Sequence, residues 1–476
     1  MSFGFGFALP AYPLRGGGGN NPFNQLGPTL DLSFTGVVTD LTDPNGYTLN
    51  TDFIIPQYQI AAQYVVWETG VGLVDKTFSQ IITFTRASTA TYFDSAGVLQ
   101  SAAIDAPRLD YNPSTLAAQG LLIEEARTNS IRNNTMQGAV AGTPGTLPTN
   151  WSVSGSSAAG LTQTVVGTGV VNGITYIDLR FNGTPAAGAL NIVFDSPAAS
   201  ASTGQAWAES AFIAVVGGTT ANVSSPSLRW DEGNPSYLRT ASAVLIGALT
   251  SSLTRYSGAA TVGASTTVIN SIYFQVTCAA APIDITLRIG LPQLELGAFA
   301  TSVIPTTTTA LTRSADVASV NTLSPWFNSA AGTLFAEFNV PFALTSGTNP
   351  RLFAFVGAGG PAVDDLFLAL NQASGKNASF NIIAGGVNPG RIDASASFVA
   401  GATVKATGAY AANDRAVTSN GSAPTTSATA YTIPTVTAAR IGSQDVFGNN
   451  ALNGYLRRIT YYPRRLSNAE LQSITA

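Results

Sequence analysis

The sequence FTRASTATYFDSAGVLQSAAIDAPRLDYNPSTLAAQGLLIEEARTN, residues 84–129, decides how the fold of this chain is interpreted. Threonine and aromatic residues dominate positions 84–92, turn-forming residues follow at 94–97, and an apolar run resumes at 98–99. Threonine and aromatic side chains favour strands, whereas Asp, Ser and Gly favour turns. The first part of the segment is therefore predicted to be a β-hairpin.

The second part of the segment is divided by prolines. Pro107 and Pro113 bracket residues 108–111, which confines those residues to a short extended piece at the edge of a sheet. Residues 121–123 form an apolar run after a glycine and predict a third strand. The whole segment is thus predicted to be a small β-meander.

Charged side chains are dense in this segment, although they are rare in the chain as a whole. They are Arg86, Arg108 and Arg127, with Asp105, Asp110, Glu124 and Glu125 as anionic partners. Two interpretations are open, namely ion pairs that fix the meander and carboxylates that serve catalysis. We favour ion pairs, because charges that a fold buries are normally paired.

Residues 84–129 also resemble a segment that recurs in bacteriophage fibre and spike proteins. In those proteins the segment lies between an N-terminal region that attaches to the virion and one or two sugar-binding β-sandwiches. The resemblance implies a virion adhesion protein with residues 83–129 as its connector. Such a protein would be assembled in the host cytoplasm and exposed on the extracellular particle.

Composition narrows the function further. The chain has 476 residues, which predicts two or three domains. Only 10% of the residues are charged, against roughly 25% in typical soluble domains, and the formal net charge is -4. Nucleic-acid binding needs clustered cations, so we expect none. No apolar run approaches the roughly 18 residues of a membrane span and no basic leader is evident, so neither membrane insertion nor Sec export is expected.

The chain lacks histidine and has one cysteine, Cys278. The first absence removes the commonest general base and the imidazole metal ligands, and the lone cysteine is expected to be a buried small side chain. We therefore predict that the chain is not an enzyme and needs no cofactor. A glycan depolymerase with two carboxylates is the alternative, but Glu337 stands alone on its predicted strand.

The N-terminal residues have the composition of an extended arm. Phe3, Phe5 and Phe7 alternate with glycines, and Tyr12 follows between prolines. Such an arm cannot form its own core and becomes ordered only when it docks on a partner, here a portal, tail or capsid protein. We predict that residues 1–82 form a small β region that attaches to the virion; a disordered tail is the alternative for the arm.

Two sandwiches are predicted after the connector. Strand-length runs separated by turns fill residues 130–310. The motifs LPTNW at 147–151 and PQLELGAFATS at 292–302 resemble the two ends of jelly-roll carbohydrate-binding modules, which implies that fold here.

Residues 317–476 form the second predicted sandwich. The motifs GTLFAEF at 332–338 and ITYYPRRLSNAEL at 459–471 resemble the first and last elements of concanavalin-like and laminin-G-like lectin domains. Ser467 with Glu470 three residues later predicts a capping box and a short C-terminal helix. The fold class is therefore all-β, with a small N-terminal β region, two antiparallel β-sandwiches of the jelly-roll type and one helix.

Candidate sugar-binding residues are aromatic side chains beside polar groups, since sugar rings stack on aromatic rings while hydroxyls bind amides and carboxylates. Trp230 is the first candidate, because its neighbours Asp231 and Asn234 predict a polar loop. Tyr237 and Trp207 complete the set. A tryptophan packed in the core is the alternative interpretation for both Trp residues.

Calcium is the one metal that the sequence suggests. Asp364 and Asp365 lie in a turn-rich segment and are candidate oxygen ligands, although no spaced Asp-x-Asp-x-Asp motif surrounds them. Turn formation and solvation of the loop are the alternative.

The function predicted from the sequence is adhesion to a host surface glycan or polysaccharide, without cleavage, by a tail fibre or head spike. A purely structural decoration or collar protein is the main alternative. We expect a homo-oligomer, most readily a trimer, because several copies multiply weak sugar contacts by avidity.

Overall fold

The structure is a computed structural model that describes residues 30–34, 64–68, 72–196, 199–234, 237–240, 244–342, 349–371 and 377–476. The arm residues Phe3, Phe5, Phe7 and Tyr12 lie outside this description, so docking of the arm remains a prediction. Strands make up 51% of the structure and helical residues 4%, and the sheets are antiparallel. The predicted all-β fold is confirmed. No helix in the described part of the chain is long and apolar enough to cross a membrane.

Within the described residues, the N-terminal part of the chain contributes nine short strands and one helical turn. These are β1 (Leu30–Ser33), β2 (Tyr64–Glu68), β3 (Gly72–Lys76), α1 (Phe78–Ile81), β4 (Thr83–Thr85), β5 (Ala90–Phe93), β6 (Leu99–Ala102), β7 (Leu109–Tyr111), β8 (Ala118–Ile123) and β9 (Arg127–Asn129). Strands β5 and β6 pair as the predicted hairpin, whose turn contains Gly97 at φ 73°.

Two facing sheets form the first sandwich. Its strands are β10 (Ser152–Ser154), β11 (Leu161–Val171), β12 (Ile174–Gly183), β13 (Gly188–Asp195), β14 (Ala199–Ser200), β15 (Ala206–Gly218), β16 (Val223–Asn234), β17 (Tyr237–Thr240), β18 (Val244–Leu245), β19 (Thr254–Thr261), β20 (Val268–Cys278) and β21 (Ile283–Leu296), with a 3-10 turn at Ala158–Gly160. One sheet has five strands in the order β11-β12-β21-β15-β19. The other has seven, with β10-β13-β20-β16-β17 as its main path and β14 and β18 attached.

The C-terminal sandwich follows a short linking strand. The elements are β22 (Leu311–Arg313), β23 (Val317–Val320), β24 (Gly332–Asn339), β25 (Arg351–Val356), β26 (Asp365–Asn371), β27 (Asn377–Ile383), β28 (Ile392–Ser397), β29 (Thr403–Ala411), β30 (Asp414–Ser419), β31 (Thr425–Ser427), β32 (Ala438–Ile441), β33 (Gly454–Tyr462) and α2 (Asn468–Thr475). Helix α2 begins with the predicted capping box, in which the Glu470 amide donates to Ser467 Oγ and the Ser467 amide donates to the Glu470 carboxylate.

Strands from before the first sandwich complete the sheets of the C-terminal sandwich. The ten-stranded sheet runs β3-β2-β1-β33-β24-β29-β30-β31, with β8 paired to β33 and β7 to β8. The seven-stranded sheet runs β28-β27-β26-β25-β32-β23-β4. The predicted strands of residues 84–129 form, but they belong to separate sheets. The prediction that residues 84–129 form a single meander is therefore wrong. Phe84, Leu121 and Ile123 instead bury their side chains in the core of the C-terminal sandwich.

Each sandwich has its own apolar core between its two sheets. Alternate residues point inward, such as Ile177 and Leu179 from the five-stranded sheet and Ile272 and Phe274 from the sheet that faces it. The free thiol of Cys278 is buried there, as its apolar context predicts. The predicted boundaries at residues 82, 129, 310 and 317 remain predictions.

Candidate functional site

The structure corrects the first sugar-binding candidate. Trp230 lies in the middle of β16 rather than in a loop, and its side chain is fully buried in the core of the first sandwich. Its Nε1 donates a hydrogen bond of 3.0 Å to Glu232 Oε2. Leu228, Trp230 and Glu232 alternate along the strand and all face inward, so the ring offers no surface to a sugar.

Among the described side chains, Trp207, Asp231 and Asn234 do not assemble a site either. Trp207 is also a core residue, with 5% of its surface exposed. Asp231 faces away from Trp230 and accepts hydrogen bonds from Ser271 Oγ at 2.8 Å and Tyr273 Oη at 3.0 Å. Asn234 donates from Nδ2 to the Ser265 carbonyl at 3.1 Å. Tyr237 belongs to β17, and its side chain lies outside the described part of the structure.

The two candidate calcium ligands are placed unfavourably for a shared ion. Asp365 is buried in β26 and pairs with Arg351 at 3.1 Å, and Asp364 precedes that strand and accepts from the Gly385 amide at 3.0 Å. Burial raises the pKa of Asp365 to about 7 against the opposing effect of Arg351. Asp364 lies in a bend outside the strand, whereas Asp365 is fully buried within it. Among the described residues, no group of three or more His, Cys, Asp or Glu side chains could hold a metal ion.

Three charges of the connector and two that follow the first sandwich form a buried network that we call the linker ion cluster. It comprises Arg86, Arg108, Glu124, Arg313 and Asp316. Asp316 accepts from Arg86 at 3.1 Å and from Arg108, while Glu124 contacts Arg108 at 2.8 Å and Arg313 at 2.6 Å. All five side chains are at most 6% exposed. No ligand can reach them, which supports the structural interpretation of these charges over catalysis.

An open cleft does exist on the first sandwich, on the outer face of its five-stranded sheet. We call it the sheet-face cleft. Its volume is about 360 Å³, and its lining consists of Val171, Asn172, Ile174, Ala214, Val216, Ser251, Ser252, Leu253 and Arg288. The turn between β11 and β12 forms one wall, and the segment before β19 contributes the serines. The β5–β6 hairpin docks beside this wall, where the Leu99 amide donates to the Asn172 carbonyl at 2.9 Å.

Arg288, which lines the cleft, is stacked on Tyr176 and paired with Asp178. The guanidinium carbon of Arg288 lies 3.7 Å from the centroid of the Tyr176 ring. Arg288 also donates two hydrogen bonds of 2.8 Å each, from Nε and Nη2, to the two oxygens of Asp178. Gly169 lies under the tyrosine, and a β-carbon at that position would come within 2.7 Å of the Tyr176 hydroxyl oxygen. The ring, cation and anion are therefore held in one arrangement.

The local electrostatics keep Arg288 charged. Its hydrogen bonds to Asp178 raise its pKa above the ordinary arginine value, and partial burial opposes this only in part. The side chain of Arg288 retains 23% of its exposure and that of Asp178 retains 12%. Arg288 is thus both fixed by its neighbours and reachable from the cleft.

Sequence reasoning missed this site, although a signal for it is present. In residues 174–181 and 283–289, apolar residues alternate with Tyr176, Asp178, Arg180, Asp284, Thr286 and Arg288. Period-two alternation places such polar side chains together on the outer face of two paired strands. The pairing partner was not known from the sequence, and the register Asp178↔Arg288 is what brings the two charges together.

Comparison with known proteins gives only weak structural similarities. No protein-family model matches the chain, and a search of curated proteins finds no match. Among solved structures, the CBM40 of the Ruminococcus gnavus IT-sialidase matches 31% of this chain and 84% of its own length, at 15% identity and a TM-score of 0.27. The Trypanosoma rangeli sialidase matches 86% of this chain and 96% of its own length, at 10% identity and a TM-score of 0.25.

These matches correct one prediction. Several of the matching structures are sialidases, and this contradicts the prediction that the chain is not an enzyme, which is therefore withdrawn. With TM-scores this low, we transfer no residue, substrate or activity from these proteins to this chain.

Proposed function

We propose that this protein binds a glycan through the sheet-face cleft. The observation that carries the proposal is the fixed group of Tyr176, Arg288 and Asp178 at an open cleft of about 360 Å³. A sugar presents both C–H surfaces and hydroxyls, so its site must offer apolar contact and directed hydrogen bonds together.

The two sides of the cleft meet these two requirements. Val171, Val216 and Leu253 provide apolar surface, and Val216 is 40% exposed. Ser251 and Ser252 supply exposed hydroxyls that both donate and accept. Arg288 supplies charged donors that are already oriented by Asp178, so little side-chain entropy is lost when a ligand binds.

The biological setting that we propose is the surface of a bacteriophage-like particle, where the protein would attach the particle to host glycans. The support is the resemblance of residues 84–129 to a segment of phage fibre and spike proteins. The predicted arm, with partners among portal, tail or capsid proteins, and a trimeric assembly belong to the same proposal. Light scattering of the purified protein tests the trimer, and a monomeric mass at micromolar concentration would refute it.

The cleft is tested by closing it from an exposed position. We expect Ser252→Trp to fill the cleft and to lower affinity for any glycan bound there by at least about tenfold. Arg288→Ala should also lower the affinity by at least about tenfold, because a charge-assisted hydrogen bond contributes about 1.5–3 kcal/mol. The measurement is a glycan array with the wild-type chain, followed by calorimetric titration of the best ligand.

The matched control is Thr162→Trp, an equally bulky change at an exposed position of β11 in the same sheet but outside the cleft lining. It should bind like the wild type, and thermal unfolding of all three variants checks their fold. Equal affinity of Ser252→Trp and the wild type would reject the cleft as the binding site. The same samples, incubated with the bound glycan and assayed for new reducing ends, test hydrolysis directly.

A further inference from the structure

A second cleft lies on the C-terminal sandwich, at the edge of its ten-stranded sheet. It is bounded by the β29–β30 turn, by the edge strand β31 and by the first residues of α2, and its volume is about 460 Å³. Helix α2 is fixed beside it, because Leu466 and Leu471 pack on Phe335 and Ala416 of the sheet. We call this the helix-edge cleft.

Buried side chains hold the lining of this cleft in place. Arg465 is 12% exposed; its Nη2 donates to Asp414 Oδ1 at 3.0 Å and its Nη1 donates to the Leu466 carbonyl. Arg415 is 1% exposed, and its Nη1 donates to the Gly390 carbonyl at 2.7 Å. Its guanidinium carbon lies 5.2 Å from the centroid of the Tyr431 ring. Tyr431 in turn donates from its hydroxyl to the Ala411 carbonyl, just before the turn.

The lining is polar and balanced in charge. Asp414 contributes one carboxylate that is 50% exposed, and Arg465 contributes one guanidinium group. Asn413 and Asn468 add exposed amides, and Ser427 adds a hydroxyl. Because the two charges compensate each other, the cleft suits an uncharged ligand with several hydroxyls. A carboxylate can accept hydrogen bonds from two neighbouring hydroxyls, and amides can donate and accept.

We infer that the helix-edge cleft is a second, separate binding site, and that it takes an uncharged sugar residue. The inference takes only its ligand class from the proposed function, since the two clefts lie on different sandwiches and share no lining residue. The lining contains no aromatic residue for stacking, so a single site should bind weakly.

The experiment uses the full chain with galactose, glucose, mannose and N-acetylglucosamine as probes, observed by saturation-transfer NMR. In a Ser252→Trp background the sheet-face cleft is closed, and residual binding of at least one probe is expected. Adding Asn468→Trp should then lower that binding by at least about tenfold. Adding Ser473→Trp, an exposed position on the same helix outside the cleft, should leave it unchanged. Asp414→Asn, which adds no bulk, should lower the residual affinity by about tenfold.

The outcomes separate the two sites. Absence of residual binding in Ser252→Trp, or equal residual binding with and without Asn468→Trp, overturns the helix-edge site and leaves the sheet-face cleft untouched. If Ser252→Trp leaves the binding unchanged and Asn468→Trp removes it, the helix-edge site is supported and the proposed function fails. A wild-type chain that binds none of the probes overturns the helix-edge site as well.

Discussion

The linker ion cluster and the core of the first sandwich bury carboxylates equally deeply and accommodate them in opposite ways. In the cluster, Asp316 and Glu124 contact three arginines, and the Glu124 amide also donates to Asp316 at 2.9 Å. In the core, Glu209 is fully buried on β15, and neither of its carboxylate oxygens has a hydrogen-bond partner.

The two environments shift the pKa in opposite directions. Burial alone would raise the pKa of Glu124, but the charges of Arg313 and Arg108 lower it to about 2. Burial raises the pKa of Glu209 well above its ordinary value, and no cation opposes the shift. Glu124 is therefore an anion at neutral pH, whereas Glu209 is driven towards its neutral form. A buried carboxylate in this protein is thus expected to stabilise the fold where arginines or other hydrogen-bond donors surround it, and not where it has no partner.

The largest effect is expected from Asp316→Ala. This change leaves Arg86 and Arg108 buried without their shared anion, and breaking a buried pair typically costs about 3–5 kcal/mol. Calorimetry should show a marked fall of the unfolding temperature. Asp316→Asn keeps the shape of the side chain and removes the charge; if it matched the wild type, the charge of Asp316 would not be what stabilises this region.

A change of opposite sign is expected at Glu209. Glu209→Met has similar volume and removes a buried polar group without partners, so it should stabilise the protein by about 1–3 kcal/mol. Glu232→Met is the matched control in the same core. It removes the acceptor for Trp230 Nε1 and for the Gly263 amide, so it should destabilise the fold by a similar amount. Destabilisation by both variants would contradict the proposed difference between the two sites.

The pH dependence of stability separates the two regions as well. The folded pKa of Glu209 is raised, so its folded state keeps a proton that the unfolded chain loses above about pH 4.5, and the free energy of unfolding falls as pH rises. Glu124 has a lowered folded pKa, so its stabilisation is present above about pH 4.5 and is lost as pH falls towards 2. Denaturant titrations at pH values from 5 to 9 give the free energy of unfolding. This free energy should fall less steeply with rising pH in Glu209→Met than in the wild type.

The smallest effect is expected at an exposed pair. Arg180 and Asp284 contact each other at 2.8 Å on the outer face of the five-stranded sheet, but their side chains are 47% and 43% exposed. Water and salt screen such pairs, so Asp284→Asn should leave the unfolding temperature unchanged within error. A loss comparable to that of Asp316→Ala would show that burial is not what distinguishes the linker ion cluster.

Local sequence patterns determined a large part of this fold. Strand-length runs separated by turn residues predicted the first sandwich, turn residues predicted the β5–β6 hairpin, and Ser467 with Glu470 predicted the start of α2. Each of these features depends on residues within a few positions of one another, so the chain carries the information locally. Ion pairing between the arginines and the carboxylates of residues 84–129 was also predicted, without the choice of partners, and Arg108–Glu124 and Arg127–Glu125 are two such pairs.

Only the tertiary structure decided which side chains meet. Asp316 pairs with Arg108 across 208 residues of sequence, and Asp178 pairs with Arg288 across 110. Trp230 was misplaced for the same reason: its polar neighbours predict a loop, but pairing with β20 extends the strand and turns the ring inward. A sequence determines which residues alternate along a strand, whereas the strand's neighbours and the facing sheet determine which side is buried. Both clefts are made of residues that pairing and packing bring together, so neither could be found before the sheets were known.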